Sequence, residues 1–276
     1  MEGHMGRDAV SDLVRTLCNR HEFLVALRVA PREKRTLVET LGVSRSTVDR
    51  ALRELEAEGL VERTERGYRL TAAGHLAATL TDAMLSATSD LHAAAEPLRA
   101  ASPDAPLDLR LVSGATATEA TDRVRSRRLS SVLDLLMEAS RAYVLAPVIS
   151  RPGSFDGVCE AVVDADTDVE MVFEASLAEQ LLPPNADRVA AMIENGFTPL
   201  VTTGVPFGLV LGGTADGWET HLVTYGDDGD LRGVVSNDTP AAAAWAWETY
   251  QRFRDDAHDV TEPLRRETQE RPVASE

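Results

Sequence analysis

The stretch REKRTLVETLGVSRSTVDRALRELEAEGLVERTERGYRL, Arg32 to Leu70, decides how the rest of the chain is read. Leu37, Val38 and Leu41 form a short apolar face that stops at Gly42, the residue type that ends a helix in the left-handed conformation. Ser44 is a good N-cap for a second helix, because its hydroxyl can accept from an orphan N–H of the next turn. Val48, Leu52 and Leu55 recur at helical spacing and bury one face of that helix. The other face carries Arg45, Ser46, Thr47, Asp49, Arg50 and Arg53. After Gly59, two short β-type runs flank a turn at Gly67 and read as a hairpin, with Arg63, Arg66 and Arg69 along it.

Helix, glycine turn, helix and basic hairpin in that order make a winged helix-turn-helix. The second helix of such a unit enters the major groove of double-stranded DNA by its N-terminal turn. Ser44, Arg45, Ser46, Thr47 and Asp49 lie on that turn, and Arg50 and Arg53 one turn further on. An arginine there can bind guanine through two hydrogen bonds, while Arg63, Arg66 and Arg69 suit phosphate contacts. A three-helix core with a solvated arginine face is the bland alternative. The order of turn glycine, cap and hairpin argues against it.

LGVSRSTVDRALRELEAEGLVER, closed by YRLTAAG, resembles the winged-helix head of archaeal transcription regulators. LDLRLVSGA, YVLAPV, VPFGLVL and LRGVVSNDTPAAAAWAWETYQRFR resemble the effector domain of the methanogenesis-regulatory-protein type, which is TrmB-like. The resemblance covers nearly the whole chain. It implies a transcription regulator with an effector domain, and it names no ligand.

Composition agrees with two parts. The chain has 276 residues and 43% hydrophobic residues, enough for separate cores. No apolar run is long enough to span a bilayer, and the leading MEGHMG has no hydrophobic region, so a cytoplasmic protein with no membrane partner is expected. Formal net charge is −17. Met1 to Thr71 holds 13 basic and 12 acidic side chains, so nearly all the negative charge lies beyond it. An acidic surface repels DNA, which leaves the head as the part placed to approach it. Lys34 is the sole lysine among 28 basic residues. Acidity with arginine in place of lysine resembles an extreme halophile of the archaeal kind.

The expected organisation is α/β (mixed): a winged helix-turn-helix over 8–71, a connecting helix over 72–100, an α/β effector domain over 107–255 and a flexible tail over 256–276. Two helices, Asp8 to Leu17 and Glu22 to Val29, are expected to support the DNA-reading pair. Along the connecting helix, Leu80, Met84, Ala87, Leu91, Ala94 and Leu98 repeat four and three apart, a thin heptad seam that suits a homodimer. Packing of that seam on the chain's own effector domain is the alternative. In the effector domain Asp108 to Val112 reads as a strand, Val124 to Ala139 as a helix and Ala142 to Ile149 as a strand. Later strands alternate with helices, which predicts a largely parallel sheet finished by antiparallel strands.

No catalytic residue, cofactor or metal site is expected. Asp164-x-Asp166-x-Asp168 lacks the glycine and closing glutamate of a calcium loop. Gly212-Gly213-Thr214 is too short for a phosphate loop, and Ser113-Gly114 lacks the flanking glycines of a nucleophile elbow. His21, His75, His92, His221 and His258 show no ligand spacing with one another or with Cys18 and Cys159. Those two cysteines read as reduced and structural, with a redox role as the lesser alternative. The effector domain also resembles the phospholipase-D-like domain of sugar-responsive regulators. Its chemistry needs a His-x-Lys pair, which this chain lacks.

A small-molecule pocket is the better expectation. Ligands of open α/β sheets sit beyond the carboxyl ends of the strands. Ser113, Tyr225, Asn237 and Asp238 offer hydrogen bonds there, and Phe207 an apolar wall. Each has a plainer reading: core packing for Phe207 and Tyr225, turn and cap chemistry for Asn237 to Thr239. A DNA-binding regulator controlled by an effector is the leading function. A protein-interaction module anchored to DNA by its head, with no small-molecule ligand, is the alternative.

Overall fold

The computed structural model describes residues 2–119, 125–148 and 152–270. The chain divides into two compact units, Met1–Thr88 and Ser89–Glu276.

The first unit begins with α1 (Glu2–Leu27), one continuous helix where two were expected. The polar run Cys18 to His21 breaks the apolar pattern, but two of its side chains tie the helix to its neighbours. Arg20 donates to Glu54 at 2.8 Å, and His21 Nε2 lies 2.6 Å from Asp82, which also holds Arg28. Then come α2 (Lys34–Leu41), α3 (Arg45–Ala57), β1 (Val61–Thr64) and β2 (Gly67–Leu70). Leu24, Leu27, Leu37, Val48, Leu52 and Leu55 form the core beneath them. Arg32 adds a third backbone partner to the hairpin, exchanging two 2.9 Å hydrogen bonds with Tyr68.

Thr71 caps α4 (Ala72–Leu98) by accepting from the Gly74 N–H at 3.0 Å. The heptad seam on this helix is not uniform. Leu80 and Leu91 are exposed, Met84 and Ala87 are half-buried, and Ala94 and Leu98 pack into the core of the second unit. Thr224 Oγ1 donates to the Pro97 carbonyl at 2.7 Å, so the last turn belongs to that core.

The second unit is built on an eight-stranded sheet of order β10-β6-β5-β4-β7-β8-β9-β3. Its strands are β3 (Thr116–Glu119), β4 (Arg141–Ala146), β5 (Asp168–Glu174), β6 (Phe197–Thr202), β7 (Gly208–Thr214), β8 (Gly217–Tyr225), β9 (Leu231–Asn237) and β10 (His258–Asp259). Only β4–β5 and β5–β6 pair parallel; the other five pairings are antiparallel. The expectation of a largely parallel sheet is therefore corrected. Short turns after β7 and β8 favour antiparallel neighbours, and these strands extend the sheet further than the parallel crossovers do.

Side chains alternate across the sheet. Val144, Met171, Phe173, Val210 and Val223 meet α6 (Arg125–Glu138), α7 (Pro152–Val163), α9 (Ala186–Glu194) and Leu264 on one face. Leu145, Val172, Leu209, Leu211 and Leu222 meet α5 (Leu109–Val112) and α10 (Pro240–Asp255) on the other. The short α8 (Ala175–Leu181) follows β5. The result is a mixed α/β layer structure.

Two further expectations are corrected. Asp108 to Val112 is helical, not a strand: Asp108 accepts from the Arg110 N–H at 2.8 Å as an N-cap, and Leu111 and Val112 turn into the core. The segment after Asp255 is not a frayed tail as far as it is described. β10 pairs with β6, and α11 (Thr261–Glu270) buries Leu264. Val124 and Ile149, the expected ends of a helix and a strand, lie outside the described residues, as does 271–276.

Candidate nucleic-acid interface and effector cavities

The turn between α2 and α3 is set by Gly42, at φ +65°, whose N–H donates to the Val38 carbonyl at 3.0 Å. Ser44 then caps α3. Its Oγ accepts from the Thr47 N–H at 3.1 Å and lies 2.8 Å from both the Ser46 and Thr47 hydroxyls. Burial of Val48, Ala51, Leu52 and Leu55 turns the opposite side of α3 outward. That side presents Arg45, Ser46, Arg50 and Arg53, all exposed. On the hairpin Arg63, Arg66 and Arg69 are exposed as well.

These cations are not equivalent. Arg69 is held by its cross-strand neighbour Glu62 at 2.6 Å. Arg45, Arg50, Arg53, Arg63 and Arg66 form no ion pair among the described residues. Asp49, the carboxylate nearest the N-terminal turn of α3, lies 2.5 Å from Lys34. That hydrogen bond holds the Asp49 carboxyl below the usual carboxylate range and the Lys34 ammonium above its own. Lys34 also lies 5.5 Å from the centre of the Tyr68 ring in the hairpin. The sole lysine thus links the start of α2, the outward face of α3 and the hairpin, and it pairs the carboxylate on that face.

The five residues expected to line a ligand pocket are dispersed. Ser113 caps the end of α5, its N–H donating to Leu109 at 2.9 Å. Asn237 is buried, and its side-chain amide donates to the Leu111 and Ser113 carbonyls at 2.8 and 3.0 Å. Its Oδ1 accepts from the Thr239 N–H at 2.8 Å, so Asn237 locks a turn. Phe207 is 1% exposed and packs near Trp245. Tyr225 lines a small cavity of about 70 Å³ beside Gly208, and burial pushes its phenol above the ordinary range. Asp238 alone borders a roomier cavity.

That cavity, about 590 Å³, is walled by Tyr143, Leu211, Asp216, Trp218, Asp238 and Trp247, among others. A polar depression lined by Arg141, Asp168, Glu170 and Arg254 adjoins it and shares Tyr143 and Trp247. Arg141 and Asp168 are the first residues of β4 and β5. Both cavities thus lie toward the amino ends of the parallel strands, opposite to the end expected from the open-sheet rule. The aromatic wall was missed in the sequence. One signal for it was present, since aromatic residues are only 5% of the chain and two of its three tryptophans, Trp218 and Trp247, are exposed here.

Among the described residues no cluster of His, Cys, Asp or Glu has the arrangement of a metal site. No described helix is long and apolar enough to cross a membrane. Cys159 is buried with its sulfur 3.3 Å from that of Met192, and burial pushes its thiol up. Cys18 is exposed.

Residues 126–256 match the family described as the methanogenesis regulatory protein FilR1, middle domain, and residues 7–92 match the HVO_A0261 N-terminal domain. The two matches together span most of the chain, and neither alone covers half of it. Among solved structures, the chain is similar to TrmBL2, an archaeal chromatin protein described as showing a novel mode of DNA binding. The two are 16% identical over 86% of this chain and 91% of that one, with a TM-score of 0.40. The phospholipase D family member Nuc from Salmonella typhimurium is 13% identical, over 52% of this chain and 97% of that one, with a TM-score of 0.40. NucT from Helicobacter pylori is 8% identical, over 52% and 98%, with a TM-score of 0.42. Likeness at this level does not define a shared function. No curated protein matches the chain.

Proposed function

We propose that this chain is a TrmB-like transcription regulator that binds double-stranded DNA through α3 and its wing, works as a homodimer, and has its operator affinity modulated through the acidic second unit. The supporting observation is the outward face of α3. It combines a capped N-terminus, three unpaired arginines and a carboxylate already bound by Lys34. Arg45 and Arg50 are positioned on the helix to read base edges. Arg53, Arg63 and Arg66 suit phosphate, and Ser44, Ser46 and Thr47, with three hydroxyl hydrogens and two mutual hydrogen bonds, keep one donor for a phosphate. Arg69 contributes least, because Glu62 holds it.

Homodimer formation has its support on α4, where Leu76, Leu80 and Leu91 lie exposed. Exposed leucines along one helix suit a partner helix better than they suit water. A dimer would present two reading helices to two half-sites about one helical turn apart.

The test is genome-wide mapping of bound sites, followed by operator titrations of the intact chain. Wild type should recognise a two-fold repeat, and Arg45→Ala, Arg50→Ala and Arg53→Ala should each weaken it. Unchanged affinity in all three would remove α3 as the reading helix. The acidic unit as an interaction module would then lead, and a partner captured by the second unit would support it.

A further inference from the structure

We infer that the 590 Å³ cavity beside Tyr143, Trp218 and Trp247 binds a small organic cation of the quaternary or tertiary ammonium class. Its role as the effector site rests on the regulatory reading above; the binding itself does not.

The walls select the ligand. A cavity of this size is ordinary for a small molecule. Three aromatic rings form its apolar side, with Tyr143 at 4.7 Å from Trp247 and 6.0 Å from Trp218, centre to centre. Two carboxylates, Asp216 and Asp238, stand at the polar side. Neither is in an ion pair among the described residues, and no Lys, Arg or His lines the cavity. Ring faces carry partial negative charge and attract cations. Faces and carboxylates therefore act in the same direction, and an anion would meet repulsion from both kinds of wall. A hard metal ion is also a poor fit, since it requires many oxygen ligands and keeps its water. A weakly hydrated cation with an apolar surface satisfies both kinds of wall. The Tyr143 ring already takes part in such a contact, with the Arg141 guanidinium 5.8 Å from its centre.

The rings are held in place. Trp218 lies against the backbone of Gly213, where a Cβ would come within 3.1 Å of the indole. Trp247 stacks on Tyr250 at 6.0 Å and 19°. Tyr250 is fully buried, and its hydroxyl donates to Glu170 at 2.8 Å, which also holds Arg254 at 2.6 Å. Trp218 and Trp247 are nevertheless 43% and 36% exposed, apolar surface that a ligand would remove from water.

Tryptophan fluorescence of the intact chain is the direct readout. Trp245, the third tryptophan, is 2% exposed, so changes report chiefly on the cavity. Choline and tetramethylammonium should change the signal saturably. The uncharged choline isostere 3,3-dimethylbutan-1-ol should bind at least about tenfold more weakly. Trp247→Ala should weaken choline binding by about tenfold, measured by calorimetry with a thermal melt to check folding. The double variant Asp216→Asn/Asp238→Asn changes only exposed side chains and should weaken it by a similar factor. No saturable response in wild type, equal binding of the isostere, or unchanged binding in the Asp double variant would each overturn the site. A cation that binds without altering operator affinity would uphold the site and overturn its effector role. If the chain binds no DNA, the regulatory reading fails while the titration still decides the site.

Discussion

A methyl group added at Gly67 would sit 2.3 Å from the Arg32 carbonyl oxygen, and its φ of +112° is one that side chains rarely adopt. The wing therefore closes on Arg32 only because this residue is glycine. Gly67→Ala should destabilise the first unit by about 1–3 kcal/mol, read as a lowered midpoint in urea. An unchanged midpoint would mean that the Arg32–Tyr68 backbone pairing is dispensable. Arg50 stands at the other extreme, exposed and unpaired. Arg50→Ala should leave the melting temperature unchanged and weaken operator binding by about 1–3 kcal/mol if it reads a base, measured by fluorescence anisotropy. The turn at Gly67 was legible in the sequence because a hairpin turn is local, while its close approach to Arg32 was not. Asn237 was legible in part: its turn with Thr239 is local, but the return of α5 that takes both its amide hydrogens is not.

Elements with local signals were legible, and elements defined by distant partners were not. Gly42, Ser44 and the Val48, Leu52, Leu55 period all act within a few residues, so α2, α3 and the turn between them could be read directly. Likewise Thr239 and Pro240 mark the start of α10, where Thr239 accepts from the Ala242 N–H at 3.2 Å. β10 is two residues long and exists because β6 offers an edge; nothing local marks it. α5 alternates like a strand, but its cap and buried Leu111 make it a helical turn. Strand β8 carries a testable pair. Glu219 accepts from His221 Nε2 at 2.7 Å, and that contact lowers the Glu219 carboxyl from its ordinary value. A lowered carboxylate contributes stability above the ordinary carboxylate range and loses it as pH falls through the lowered value. Wild type should therefore be more stable than Glu219→Gln near neutrality, with the difference vanishing in acid. A gap that persists in strong acid would assign the effect to packing instead. On α4 the exposed leucines give a sharper expectation than the full heptad seam, because Ala94 and Leu98 are already packed in the core of the second unit. Leu80→Glu/Leu91→Glu should yield monomers by light scattering; an intact dimer would exclude this face as the interface.

At the scale of the whole chain, charge is the property that the two units divide most unequally. Residues 1–71 carry +1 and the remainder carries −18. Affinity for DNA must then come from a few close contacts, with the acidic unit opposing approach. Salt acts on these two terms in opposite directions. Raising it weakens phosphate contacts through counterion release, with a slope of about −0.9 per phosphate neutralised, while it also screens the acidic repulsion. The full chain should therefore show a shallower salt dependence than its DNA-facing arginines alone would give. Within that total, Arg63 and Arg66 have a separable signature, since they lie on the wing and not on the reading helix. Arg63→Ala/Arg66→Ala should weaken binding to operator and to unrelated DNA alike, and reduce the salt slope by about 1 for each phosphate no longer neutralised. Arg50→Ala should instead narrow the gap between operator and unrelated DNA, with less change in slope. Titrations at several potassium chloride concentrations separate the two. A wing double variant with an unchanged slope would mean that the hairpin does not touch the backbone. DNA recognition would then rest on α3 alone.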